Sequence, residues 1–518
     1  MGDTFMLNWV MSPVSLRAEG VAISLLAITG VTNVLDECKG LTIHVAEEYH
    51  LQGGNIMRLS ASILGKLRGI VGTKGFLTAQ MDLATYSFDG TTSWKGMPEV
   101  VVFPTTAEQV SRILKLATEQ VIPVTPRGAG SNLSGGSVPV LGGIVLCTTR
   151  MNRILEVDTA NFTVTAEAGV VLNDLNRELA RHNLFFPPDP QSFLAATIGG
   201  CVSENAGGPY AIKYGVFKHY ILGMTAVLPT GAILTLGGTT VKNVTGYDLP
   251  QLLCGSEGTL AVITQVTLHL LPLPPARQTV LAVFDEMTTA GQAVHRVLAE
   301  GILPAKIELM DNWVIRRIEE ITPLGLPLEA EAIILFELDG IPAAVEKETK
   351  GVINICQQEG AMEARAAYDA KEAENFWTAR RAGFSAVFGN SPTVFAEDVT
   401  VPPSRLPEVI GRIQKIARKY DLTIVILGHA GDGNLHPSIL TDEKNAEHYG
   451  RAKKAVHDIF SAALELGGSI SGEHGIGLEK KQFLKQAMPP EAIDLLRGIK
   501  KVFDPNGILN PGKIWEEA

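Results

Sequence analysis

The chain has 518 residues, 46 % hydrophobic and 19 % charged, with 44 basic against 55 acidic side chains and a formal net charge of −11. That length corresponds to roughly three domains at about 150 residues each, the apolar content excludes a disordered polymer, and the acidic balance argues against nucleic-acid binding. The five cysteines, Cys38, Cys147, Cys201, Cys254 and Cys356, form no CxxC pair, which argues against an iron–sulfur cluster or a four-cysteine zinc site.

Residues 1–56 lack clear periodicity and read as an N-terminal extension. Their apolar run, 21–35, is interrupted by Ser24, Thr29, Gly30, Thr32 and Asn33 and falls short of the ~18 residues of a membrane span. No basic segment precedes it and no small-residue cleavage site follows, so no signal peptide is expected. A cytoplasmic location is expected, with peripheral contact at the inner face of the membrane left open.

From residue 57 the pattern becomes regular. Thr106 and Gln109 fit a capping box, followed by Val110, Ile113, Leu114 and Ala117 at helical spacing. A strand is expected over 121–125, and further strands over 143–147, 163–168, 224–228, 233–236 and 260–270, interrupted by a helix over 172–182. This is an α+β pattern and not a steady βαβ alternation. Residues 271–275, rich in proline, read as a linker closing a domain of 57–274. Beyond it, strands over 279–284, 306–310 and 332–338 and helices over 288–300, 404–419 and 444–466 indicate a second α+β domain, 275–518.

Small residues cluster in three segments of the first domain. Pro126-Arg127-Gly128-Ala129-Gly130-Ser131-Asn132 runs on to Gly135-Gly136 after a strand. Converging backbone N–H groups could cradle a pyrophosphate there, although a glycine-rich β-turn accounts for this loop equally well. The helix that follows a Rossmann loop is forbidden by Gly135, Gly136, Pro139, Gly142 and Gly143. The second segment contains Thr197-Ile198-Gly199-Gly200 and 203–208, the third 242–249 and 255–260. Three such segments separated by apolar strands fit one long ligand touched mostly by backbone.

In the second domain, Gly428-His429-Ala430-Gly431-Asp432-Gly433-Asn434-Leu435-His436 follows an apolar strand, and Ser471-Gly472-Glu473-His474-Gly475-Ile476-Gly477 adds a carboxylate and a third histidine. Two imidazoles and a carboxylate are a common donor set for zinc, manganese or iron.

Together these motifs resemble the FAD-linked oxidases with a flavin domain of the vanillyl-alcohol-oxidase type. Over residues 70–515 the chain is most similar to their D-2-hydroxyacid dehydrogenase branch, which includes a glycolate oxidase subunit, FAD-dependent D-lactate dehydrogenase and D-2-hydroxyglutarate dehydrogenase. The resemblance implies a two-subdomain FAD-binding domain plus a C-terminal α+β substrate (cap) domain whose last segment returns to the flavin. It implies FAD contacts at Arg127, Gly128, Ala129, Gly130, Ser131, Asn132, Thr197, Gly200, Ser203, Asn205, Gly207, Ile263 and Asn510. It assigns His429, His436 and Glu473 to a divalent metal, His474 to the base, and Arg380 to the substrate carboxylate, with Arg381 as the fallback. The implied reaction is oxidation of a 2-hydroxy acid to the 2-oxo acid with hydride transfer to flavin N5. Electrons would pass to a second flavin subunit, an iron–sulfur subunit, electron-transfer flavoprotein or quinone. Members acting on the dicarboxylate carry a lysine near Ala396, so glycolate or D-lactate is expected here. D-2-hydroxyglutarate oxidation, or a non-catalytic flavin subunit, is the alternative.

Overall fold

Residues 59–516, except 92 and 390, are described by a computed structural model. The expected extension 1–56 and its apolar run lie outside the described residues. In the first domain Val100–Val102, Ile144–Cys147 and Val124–Arg127 run parallel, and Phe76–Leu77 adds an antiparallel edge. Helix Ala107–Gln120 covers this sheet because Val110, Ile113, Leu114 and Ala117 share one face, all fully buried. Thr106 Oγ1 accepts the Gln109 N–H, but the other arm of the expected box reaches one residue further back, Gln109 Oε1 accepting the Thr105 N–H at 2.7 Å. The helix ends on Val121 in the left-handed region, so the strand expected from 121 begins at Val124.

An antiparallel sheet follows, in the order Ile154–Asp158, Thr163–Glu167, Val262–His269, Ile221–Val227, Ile233–Gly237. Against it pack helices Leu172–Ala180 and Ile198–Glu204. The second of these takes up the first part of the second small-residue segment. Thr197 Oγ1 caps the Gly200 N–H, and a Cβ on Gly199 would lie 2.6 Å from the Ala168 Cβ, so glycine lets the helix press onto the sheet. The expected linker 271–275 is corrected. Leu271–Pro272 pairs with Leu184–Phe185, and a strand starts at Ala276.

The second domain is built on one antiparallel sheet ordered Glu363–Ala366, Ala276–Phe284, Ala332–Gly340, Lys306–Asp311, Ile424–His429, Asn434–Thr441, Thr393–Ala396, with Val399–Thr400 also paired to Asn434–Thr441. Alternation along the strands sends Val280, Ala282 and Phe284 to helices Met287–Ala299, Pro342–Gln358, Leu406–Tyr420 and Ala446–Glu465. Leu281 and Val283 go to the other face, under Asn312–Ile321 and Ala370–Phe388. The chain end returns to the first domain: Val124 N–H donates to the Ile508 carbonyl at 2.8 Å and Asn510 N–H to the Val124 carbonyl at 2.7 Å. Among the described residues, no helix is long and apolar enough to cross a membrane.

Candidate functional site

Strands Ile424–His429 and Asn434–Thr441 form a hairpin whose register sets His429 opposite Asn434 and His436 opposite Leu427. Period-two alternation therefore puts His429, Asn434 and His436 on one face. The loop 471–477 closes over that face. His429 Nε2 lies 3.2 Å and His436 Nε2 3.4 Å from the same Glu473 oxygen, Oε1. These three side chains can hold one cation between them. The donor set suits a divalent metal, and Glu473 Oε2 is buried with no hydrogen-bonding partner, so the residues present fit such an ion.

The outward ring nitrogens face carboxylates. Glu308 Oε1 lies 2.7 Å from His429 Nδ1, and Asp398 Oδ1 lies 3.9 Å from His436 Nδ1. Burial opposes charge on His429, yet Glu308 and Glu473 overcome it and hold the imidazole well above its usual range. The same surroundings that favour a proton favour a metal cation in its place. Burial alone would raise Glu473; the imidazoles of His429 and His436 instead keep its carboxyl below the ordinary range.

His474 stacks on His436 with ring centroids 5.1 Å apart and planes at 8°. Burial pushes its imidazole down to about 4, which leaves a neutral ring, and its Nδ1 has no hydrogen-bonding partner. A buried neutral imidazole of this kind can take up a proton from a neighbouring hydroxyl. The loop that carries it is gathered around Asp398, whose Oδ2 accepts the N–H groups of Gly472, Glu473 and His474 at 2.9, 3.0 and 2.9 Å.

Helix Ala370–Phe388 starts on an Asp369 side chain that accepts the Glu372 N–H. It buries Phe376, Trp377, Ala379 and Arg380. Arg380 is 4 % exposed, and its Nε makes a 2.6 Å ion pair with Glu308 Oε2. That places it one carboxylate away from His429. Arg381 points elsewhere: it is exposed and pairs with Glu374, so the arrangement favours Arg380 over the fallback. Sequence reasoning misses Glu308 and Asp398, as well as Lys480, which lies 3.5 Å from Asp398. The available signal is a carboxylate inside an otherwise apolar strand, as Glu308 is among Ile307, Leu309 and Met310.

The glycine segments of the first domain form a seam next to this cluster. A Cβ on Gly130, at φ +74°, would lie 2.1 Å from Arg127 Nη2, so the loop folds over its own arginine. Arg127 Nη1 donates to the Phe88 carbonyl at 2.6 Å, and its side chain is thus committed inward, leaving the backbone of 127–132 to meet a ligand. Asn132 likewise spends its side chain on Asp89 and Ser137. Asn510 Nδ2 donates to the carbonyls of Gly136 and Glu257, at 2.8 and 2.7 Å. Ser203 and Asn205 belong to the end of the short helix that Thr197 and Gly200 begin, and Ile263 lies in the core cluster beneath it. Gly207 reaches the cluster of His429, His436 and Glu473 itself, a Cβ there being 3.1 Å from Glu473 Oε2. The first half of the third segment departs from expectation. Val244 and Tyr247 are 97 % and 98 % exposed, and only 255–260 joins the seam. Along the seam, Ser134 Oγ, Glu204 Oε2 and Asn510 Oδ1 are buried without a hydrogen-bonding partner, which fits a polar ligand such as FAD.

A glycine seam between two α+β domains, with the chain end returning across it, is the architecture of a two-domain FAD-binding protein. Solved structures of p-cresol methylhydroxylase (TM-score 0.72, 18 % identity, 88 % of this chain and 96 % of that one) and of 4-ethylphenol oxidase from Gulosibacter chungangensis (0.71, 19 %, 88 % and 97 %) share the fold. Residues 98–237 match the FAD binding domain family and residues 273–514 the C-terminal domain of FAD linked oxidases. The chain is 40 % identical over 457 residues to glycolate oxidase subunit GlcD of Bacillus subtilis, covering 88 % of this chain and 97 % of that one. It is also 40 % identical over 417 residues to a D-lactate dehydrogenase of Archaeoglobus fulgidus, covering 80 % and 91 %. The chain belongs to the FAD-linked oxidases and is an FAD-dependent oxidoreductase.

Proposed function

We propose that this chain oxidises a small 2-hydroxy monocarboxylate, glycolate or D-lactate, to the 2-oxo acid, and delivers the electrons to a partner flavin or iron–sulfur subunit, electron-transfer flavoprotein or quinone. The observation that carries the reading is one cluster in which His429, His436 and Glu473 converge beside a neutral His474 and a buried Arg380, against the Gly207 backbone of the flavin domain. The names of the relatives support the substrate class, and the naming of one of them as part of a larger oxidase supports a partner.

FAD, held along 127–132, 197–207, Ile263 and Asn510, would supply a two-electron acceptor, and a zinc, manganese or iron ion on His429, His436 and Glu473 would supply positive charge that acidifies a substrate hydroxyl. The protein residues do the rest. Arg380 offers a planar guanidinium that fits the two oxygens of a carboxylate. His474 receives the hydroxyl proton as C2 loses its hydrogen with the electron pair. Ala396 faces Ser438 across the sheet and brings no second cation for a distal carboxylate, which favours a monocarboxylate over D-2-hydroxyglutarate.

The test is anaerobic mixing of the oxidised holoprotein with a panel of 2-hydroxy acids of both hands, followed by flavin absorbance. Bleaching by glycolate or D-lactate is expected. Bleaching only by D-2-hydroxyglutarate would overturn the substrate assignment, and no bleaching by any acid would favour a non-catalytic flavin subunit.

A further inference from the structure

We propose that Glu308 is a positioning residue that ties the substrate-carboxylate subsite to the metal subsite, holding His429 with one oxygen and Arg380 with the other. The proposal rests on the reading above of His429 as a metal ligand and Arg380 as the carboxylate anchor.

Strand Lys306–Asp311 pairs with Ile424–His429 so that Glu308 sits directly opposite His429. Its neighbours Ile307 and Leu309 point into one apolar core and Met310 into the core on the opposite face of the sheet, so Glu308 is a polar insertion on the site face. Its side chain has no solvent exposure. Oε1 meets His429 Nδ1 at 2.7 Å and Oε2 meets Arg380 Nε at 2.6 Å. A carboxylate receiving Nδ1–H fixes the imidazole tautomer and leaves Nε2 as the metal donor. The second oxygen neutralises a guanidinium that would otherwise be buried alone. The two subsites therefore share one anion, and a shift of either partner is passed to the other through a single rigid group.

Asp398, on the other histidine, is organised differently. Its Oδ2 is spent on backbone N–H groups and on Ser471 Oγ, and it stands 3.9 Å from His436 Nδ1. It anchors a loop, whereas Glu308 connects two side chains.

Glutamine cannot do both jobs. If its oxygen accepts from His429, an uncharged NH2 takes the place of Oε2 beside the guanidinium and the buried charge of Arg380 loses its counter-ion. If the amide turns over, it donates to Nδ1 and moves the imidazole proton to Nε2, where a metal must bind. The experiment uses holoprotein carrying E308Q, E308D, R380K or H436A. Zinc affinity is measured by chelator competition. Oxalate, a non-oxidisable mimic of the substrate's chelating end, is titrated at saturating zinc by its perturbation of the flavin spectrum.

For E308Q we expect zinc affinity to fall about 10- to 100-fold and oxalate affinity at saturating zinc to fall about tenfold or more. R380K should weaken oxalate far more than zinc, and H436A should weaken zinc. If both controls behave so but E308Q moves only one of the two affinities, the coupling role is wrong. If H436A binds zinc like the wild type, or R380K binds oxalate like the wild type, the underlying site reading fails instead. Should E308Q not fold, E308D gives the same two readouts: its charge is kept but its shorter arm reaches only one partner, so both affinities unchanged would overturn the proposal.

Discussion

Replacing Asp398 with asparagine removes one negative charge from the centre of the loop that presents Glu473 and His474. In the wild type, Oδ2 accepts three backbone N–H groups, of Gly472, Glu473 and His474, and the Ser471 hydroxyl, while Oδ1 accepts Asn434 Nδ2 at 2.7 Å. Hydrogen bonds to a charged acceptor contribute about 1.5–3 kcal/mol against about 0.5–1.5 for a neutral one, so losing the charge costs roughly 1 kcal/mol for each of the three backbone bonds. The new NH2 must also face Asn434 Nδ2, another donor, at a cost of about 1–3 kcal/mol. The total is on the order of 4–6 kcal/mol. At roughly 2–4 °C per kcal/mol for a unit of this size, D398N should melt about 10 °C or more below the wild type. Thermal melts of the holoprotein by circular dichroism, paired with limited proteolysis of the 468–480 segment, read both parts of the prediction. A midpoint within about 2 °C of the wild type and an unchanged cleavage pattern would refute the view that this carboxylate organises the loop.

Removing the proposed base, as H474Q, should slow anaerobic flavin bleaching by about 10²- to 10⁴-fold with FAD and metal content intact; stopped-flow absorbance measures it, and a rate close to wild type would assign the base elsewhere. Because burial pushes His474 down to about 4, the base is free above that pH. kcat/KM at saturating metal should therefore keep its full value down to about pH 5 and fall below it, and a half-value near the ordinary histidine pKa would contradict the burial argument. Asp311 caps helix Asn312–Ile321 and also accepts the Ile426 N–H, and burial raises its carboxyl to about 6. The folded pKa lies above the unfolded one, so this group's contribution to stability is complete below about pH 4 and is lost as pH rises through 6. Urea melts should show D311N gaining about 3 kcal/mol on the wild type between pH 4 and 7; parallel pH profiles would show that the group is not held neutral.

Local patterns make much of this molecule readable from its sequence. Helix Leu406–Tyr420 and helix Ala446–Glu465 show clean apolar faces, with Val409, Ile410, Ile413 and Ile416 on the first. The histidine loops stand out because glycine and histidine alternate there with few apolar residues. Helix Ala370–Phe388 is not legible, since it buries a charged Arg380 among Phe376, Trp377 and Ala379 and so blurs the 3.6-residue period. The short helix Ile198–Glu204 is hidden by its two glycines, which signal a loop in isolation. They are there because the backbone must lie against Ala168, a fact of packing and not of propensity.

Sequence alone determined which chemistries the chain could host. A set of imidazoles, a carboxylate, an arginine and glycine-rich cradles are covalent facts, and their side-chain chemistry does not wait for folding. Only the tertiary structure decided their partnerships. Glu308 lies 121 residues from His429 in sequence, with Arg380 on a separate helix between them, and nothing local brings the three together. The register of an antiparallel sheet and the docking of one helix on it do. A charge inside a protein core is tolerated only where such long-range pairing meets it, so the identity of its partner is a property of the fold.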